Sequence, residues 1–187
     1  MSILLTGFEP FGGADRNPSW EAVQLVPDQI SGHAVHRLRL PVEYGRAASL
    51  LRQEIARLRP EIVISVGVAN GRKAVTPELV TVNYRFAAIP DNAGAAHAGD
   101  AIDLNGPAAY MTSLPVHEMI AAINAAGIPA HLSLSAGAYV CNDVYYALLG
   151  CEAEFGHKGL FVHVPGEDAV PVEDMARGLE ICLRCAL

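Results

Sequence analysis

The chain has 187 residues, of which 51% are hydrophobic and 18% charged, with a formal net charge of −7. That length and apolar share suit one globular domain spanning residues 1–187. The acidic balance, with basic spots no larger than Arg37/Arg39 and Arg72/Lys73, excludes nucleic-acid binding through phosphate neutralisation as the expected function. No apolar run reaches the ~18–20 residues that would span a membrane.

In chain order, residues 1–6 form an apolar run that predicts a buried strand, followed by a Gly- and Phe-rich loop over 7–17. A helix is expected from Pro18 or Ser19 through Trp20, Val23 and Val26, then a second strand where Val35, Arg37, Arg39 and Pro41 alternate. Ala47, Leu50, Leu51, Ile55 and Leu58 recur at helical spacing and predict a helix over 43–58, stopped at Arg59-Pro60. Residues 61–67 read as a short interior parallel strand. Residues 79–86 alternate and predict another strand, and the Gly-, Ala-, Asp- and Asn-rich stretch 87–107 predicts a long loop. Further on come a helix over 114–126, a strand over 129–135, a helix over roughly 139–149, a strand over 159–164 and a last helix over 171–187. This alternation predicts a three-layer α/β/α sandwich with a mostly parallel twisted sheet. In such sheets ligands sit at the carboxyl ends of strands, here the loops after the first strand, after Gly67, after Ser135 and after His163.

Two residues on that edge stand out. Cys141 follows an Ala-Gly turn at the start of a helix, where free N–H groups and partial positive charge favour a thiolate and an oxyanion beside it. A buried cysteine also serves simply as a small hydrophobe. His163 ends a strand on the same edge and is the candidate base, although a lone histidine is as readily structural. For a third, orienting group Glu78, Asp91, Asp100, Asp103 and Glu167 all remain open. Phe8 and Phe11, three residues apart in the first loop, suit the walls of a small pocket for a flat ring, or plain packing above the sheet. That loop is neither a dinucleotide fingerprint nor a P-loop. Cys182 and Cys185 form a C-x-x-C at the end of a helical pattern with no second pair of ligands, which reads as helix packing rather than a redox or metal site. The N-terminus lacks the charged and long apolar regions of a signal peptide, and a cytoplasmic location with reduced cysteines is expected.

Taken together, the segments resemble one family. The run Leu4-Leu5-Thr6-Gly7-Phe8-Glu9-Pro10-Phe11-Gly12-Gly13 with Asn17-Pro18 is similar to the N-terminal signature of pyroglutamyl peptidase I (pyrrolidone carboxyl peptidase). Thr76-Pro77-Glu78 with Val82-Asn83, Ile89-Pro90-Asp91-Asn92-Ala93-Gly94, Ser135 through Asn142, and Phe161-Val162-His163-Val164-Pro165 match further blocks in the same order. The resemblance implies a phosphorylase/hydrolase-like sandwich and a cysteine exopeptidase that removes N-terminal pyroglutamate from peptides. It implies a catalytic triad of Glu78, Cys141 and His163, a thioester intermediate and no cofactor. Phe8 and Phe11 would clasp the lactam ring, with Tyr139 at a position the family often fills with an aromatic residue. It further implies a homodimer or homotetramer.

The chain departs from the family at Ala88 and Leu79, where arginines are usual, and in a shorter segment after Pro165. Arg85, at an odd offset from position 88 on an extended strand, is not an obvious replacement. These differences keep open a related cysteine amidase acting on another N-acyl or lactam group, or a ligand-binding paralogue. A phosphorylase-like activity rests on sheet architecture alone.

Overall fold

A computed structural model describes residues 2–187; Met1, where the first strand is expected to begin, lies outside them. The elements are β1 (Ser2–Phe8), α1 (Pro18–Leu25), β2 (Gln29–Ile30), β3 (His33–Leu40), α2 (Arg46–Leu58), β4 (Ile62–Val68), β5 (Thr76–Glu78), β6 (Val80–Val82), β7 (Arg85–Phe86) and β8 (Ala98–Asp100). They continue with β9 (Ala109–Met111), α3 (Val116–Ala125), α4 (Val140–Gly150), α5 (Glu152–Phe155), β10 (Lys158–Val164) and α6 (Val172–Ala186). The main sheet has the order β2-β3-β1-β4-β10-β5. Its four central strands are parallel, and the edge strands β2 and β5 run antiparallel to their neighbours. The pairs β6–β9 and β7–β8 are small antiparallel ribbons.

Strand alternation builds the three layers. Ile3 and Leu5 of β1, Ile62, Ile64 and Val66 of β4, and Leu160, Val162 and Val164 of β10 pack with α1, α3 and α6. The intervening Leu4, Phe8, Val63 and Phe161 pack with α2 and α4 on the other face. The helices have identifiable ends. The Asn17 side chain accepts the Ser19 N–H at 3.0 Å and Pro18 occupies the first turn of α1. Helix α2 stops where Arg59 turns left-handed (φ 48°) and its N–H bonds back to the Ile55 carbonyl, with Pro60 next.

The strand expected over 129–135 does not form. That segment runs beside β5 with isolated bridges at Val75–Ala130 and Glu78–Ser133. The parallel ladder is broken where Pro77 lacks the N–H that would continue it, although Ser133 still donates to the Pro77 carbonyl. The strand expected over 79–86 is split into β6 and β7. Asn83 bends the chain there, its side chain accepting from the N–H groups of Ile102 and Asp103. The expected long loop 87–107 contains β8, which folds back on β7. Among the described residues no helix is long and apolar enough to cross a membrane.

Candidate active site

Strands β1, β4 and β10 end side by side, so the loops after Phe8, Val68 and Val164 share one edge with the start of α4. Cys141 is the second residue of α4. Among the described residues no side chain caps that helix, which leaves its first N–H groups without an intrahelical partner. The sulfur lies against the backbone of Gly67 in β4, so closely that a methyl group built on Gly67 would stand 2.9 Å from it. His163 pairs in register with Gly67 on the neighbouring strand, about 4.8 Å away by strand spacing. By parity with Phe161, His163 belongs to the face covered by α4, the face on which Cys141 sits.

The third partner is Glu78, from the antiparallel edge strand β5, where it is paired with Phe161. Its Oε1 lies 2.7 Å from His163 Nδ1. An ionised carboxylate only accepts, so Nδ1 carries the proton and Nε2 is left as an acceptor. Thr76 secures the same histidine from behind by donating to its carbonyl oxygen at 3.2 Å. Tyr145, one turn beyond Cys141 on α4, donates to the Glu78 carbonyl oxygen at 2.8 Å. The other four carboxylates are engaged elsewhere. Asp91 binds the N–H groups of Tyr44, Ala93 and Ala95, and Asp100 pairs with His97. Asp103 caps Asn105, and Glu167 lies 3.6 Å from Arg16.

The electrostatics follow from burial. Loss of solvent pushes the Cys141 thiol up to about 12, Glu78 adds to the rise, and Arg72 opposes it. Burial lowers His163 below the ordinary imidazole value, with the Glu78 hydrogen bond and charge pulling the other way and Arg72 reinforcing the fall. Burial alone would raise Glu78, but His163, the neighbouring Ser133 and Arg72 together hold it below the usual carboxylate range. These shifts favour an uncharged thiol and an uncharged imidazole beside an ionised glutamate.

Beside the sulfur is a small cavity lined by Phe8, Phe11, Asn17, Val42, Val68, Tyr139, Val140 and Cys141. Phe8, Phe11 and Tyr139, singled out in the sequence, all border it. The Phe11 and Tyr139 rings are 6.3 Å apart and the Tyr139 hydroxyl donates to the Pro90 carbonyl oxygen. Val42, just after β3, and Val68, at the end of β4, are lining residues that sequence patterning missed, because an aliphatic residue in either place reads as core. A wider groove of about 580 Å³ between Arg16, Glu21 and Glu173 contains neither cysteine nor histidine. Among the described residues, no group of three or more His, Cys, Asp or Glu side chains is placed to hold a metal ion.

The guanidinium near this centre comes from an unexpected place. Arg72 reaches Glu78 Oε1 at 2.7 Å, whereas Arg85 is held by the buried Asp143 at 2.6 Å. Leu79 follows Glu78 with its side chain against the opposite layer of the core, so the family difference at that position lies away from the sulfur.

A family model described as pyroglutamyl peptidase matches residues 1–184. The pyrrolidone-carboxylate peptidase of Levilactobacillus brevis is 42% identical, over 98% of this chain and 96% of the relative. That of Chromobacterium violaceum is 40% identical, over 100% of this chain and 92% of the relative. Among solved structures, pyroglutamyl peptidase I of Bacillus amyloliquefaciens superposes with a TM-score of 0.93 at 35% identity, covering 99% of this chain and 96% of that one. The pyrrolidone carboxyl peptidase of Thermococcus litoralis gives a TM-score of 0.94 at 33% identity, covering 99% and 92%.

Proposed function

The chain belongs to the pyroglutamyl peptidase family and is a cysteine hydrolase, and from that premise we propose that it removes N-terminal pyroglutamyl residues from peptides with Cys141, His163 and Glu78 as its triad. The observation that carries this reading is the convergence of the three side chains, drawn from α4, β10 and β5, on one face of the sheet beside an apolar cavity.

Pyroglutamate is a flat, neutral lactam without a free amine. Among the described residues no carboxylate lines the cavity, so an N-terminal ammonium finds no counter-charge there, while Phe8, Phe11 and Tyr139 offer aromatic walls to the ring. With substrate in place, His163 Nε2 takes the thiol proton as the sulfur attacks the carbonyl carbon of the pyroglutamyl bond. Glu78 stabilises the imidazolium that results. The free N–H groups of the first turn of α4 receive the developing oxyanion. The imidazolium then protonates the departing amine, leaving a thioester between Cys141 and the pyroglutamyl group. Water, deprotonated by the same imidazole, hydrolyses that thioester and returns the thiol. The four cysteines stand free, as a reducing compartment such as the cytoplasm would leave them.

The test is release of amine from a chromogenic pyroglutamyl amide under reducing conditions. Wild type should turn over, and Cys141→Ala should lose roughly 10⁴-fold or more in kcat. Unimpaired turnover by Cys141→Ala would refute the assignment.

A further inference from the structure

We infer that Arg72 is a positioning residue of this site, a guanidinium that ties Glu78 to the loop entering Cys141 and holds the carboxylate for His163. The inference rests on the triad reading above but concerns a residue outside the triad. Arg72 lies in the turn after β4, where its N–H bonds to the Ala69 carbonyl and Gly71 adopts φ 94°, a conformation that side chains strain. The turn aims the side chain back across the carboxyl edge of the sheet. Nη1 donates to Glu78 Oε1 at 2.7 Å and also to the Thr76 hydroxyl. Nη2 donates to the carbonyl oxygen of Ser135 at 3.1 Å.

Each contact bears on a different part of the machinery. Oε1 is the oxygen that receives His163 Nδ1–H, so one carboxylate oxygen accepts from the base and from the arginine together. Glu78 Oε2 is buried with no hydrogen-bond partner among the described residues. Without Arg72, a fully buried acid would keep its charge with the histidine as its main support, and a buried carboxylate with one donor tends to take up a proton. A protonated Glu78 no longer stabilises an imidazolium. Thr76, in turn, donates to the His163 carbonyl oxygen, so Arg72 also braces the backbone behind the base. Ser135 opens the segment that leads to Cys141, so the third bond fixes where the nucleophile's helix begins. A planar fork with two nitrogens pointing in different directions makes all of these contacts at once, and a lysine ammonium does not.

Position 88 is alanine, and Arg85 is committed to Asp143. Lys73, the neighbour of Arg72, pairs with Asp168 at the surface. Among the described residues, Arg72 is thus the cation acting on both Cys141 and His163.

The experiment compares wild type with Arg72→Gln and Arg72→Lys in two ways. One is kcat and KM against pH on a chromogenic pyroglutamyl amide. The other is the pH dependence of Cys141 alkylation by iodoacetamide, followed by peptide mapping, with circular dichroism to check the fold. For Arg72→Gln we expect kcat to fall about 100-fold with KM changed less than about threefold. The acid limb of the rate profile and the alkylation profile should both move about one unit or more to higher pH, because the removed charge disfavours the imidazolium and favours the thiolate. Arg72→Lys should recover part of the displacement in pH and less of kcat. Wild-type kcat and an unmoved profile in Arg72→Gln would overturn the inference. So would a loss of activity that only tracks loss of folded protein. If wild type fails to hydrolyse the pyroglutamyl amide, the reading of the reaction fails, while the alkylation profiles still decide the role of Arg72.

Discussion

At Gly67 the choice between a hydrogen and a methyl group decides where the sulfur can lie. An alanine there would bring its methyl 2.9 Å from Cys141 Sγ and 2.9 Å from the Phe161 ring, both well inside normal contact. Cys141 is partly exposed while Phe161 is fully buried, so the sulfur is the neighbour that gives way, and Gly67→Ala is expected to fold but to lose about 100-fold in kcat through misplacement of the thiol. Steady-state kinetics with a parallel thermal melt checks this, and an unaltered kcat would contradict it. At this scale the sequence was informative about some residues and silent about others. Cys141 and His163 announce themselves by their places at the start of a helix and the end of a strand. Glu78 does not stand out from four other carboxylates without the family resemblance, because its distinction is to pair with Phe161 on a strand far away in the chain and to reach the His163 side chain from there. Arg72 looked like part of a minor basic spot, since its buried partner is invisible without the fold.

Among the elements, α4 organises the site. Cys141 supplies the sulfur, Asp143 receives the Gly45 N–H and Arg85, and Tyr145 holds Glu78. The fully buried Asn142 staples the helix to the ribbon crossing in front of it. Its Oδ1 accepts from the Thr81 hydroxyl at 2.7 Å and the Val82 N–H at 3.1 Å. Its Nδ2 donates to the carbonyls of Val82 and Tyr84 at 2.8 and 3.0 Å. Asn142→Ala strands those partners and should cost about 2–3 kcal/mol in denaturant unfolding. Asn142→Asp should cost more, because an acceptor then faces two carbonyl oxygens; equal or smaller loss would argue against the staple. Periodicity made the long elements legible, including α2 and the parallel strands with their continuous apolar runs. It failed on β5, which is three residues long and contains a proline, and on 129–135, where apolar alternation without a complete ladder does not make a strand. In both places the outcome depends on which backbone groups find partners across the fold, which local pattern does not carry.

For the molecule as a whole, buried titratable groups set the pH range of stability. Burial lowers both His157 and His163, and His157 Nδ1 has no partner among the described residues. Their folded values lie below the ordinary 6.5, so the stability they contribute is present above that pH and is lost as pH falls through the folded values. On the alkaline side burial raises Cys141 and Cys182 to about 12 and Cys151 to about 11. Their contribution is present below the ordinary 9.0 and is lost as pH rises through those values. The thermal midpoint should therefore be highest between about 6.5 and 9, and His157→Gln should flatten the acid side; a midpoint independent of pH would contradict this. The order of the site residues along the chain has a separate consequence. Phe8, Phe11, Asn17, Val42, Val68 and Glu78 all precede the turn at Leu104, which is 91% exposed, while Tyr139, Cys141 and His163 all follow it. A cut at that turn divides Glu78 and most of the cavity from Cys141 and His163, so on the triad proposed above full activity needs both fragments. Turnover would then report that two halves have met, which makes this chain a ready-made sensor of its own reassembly.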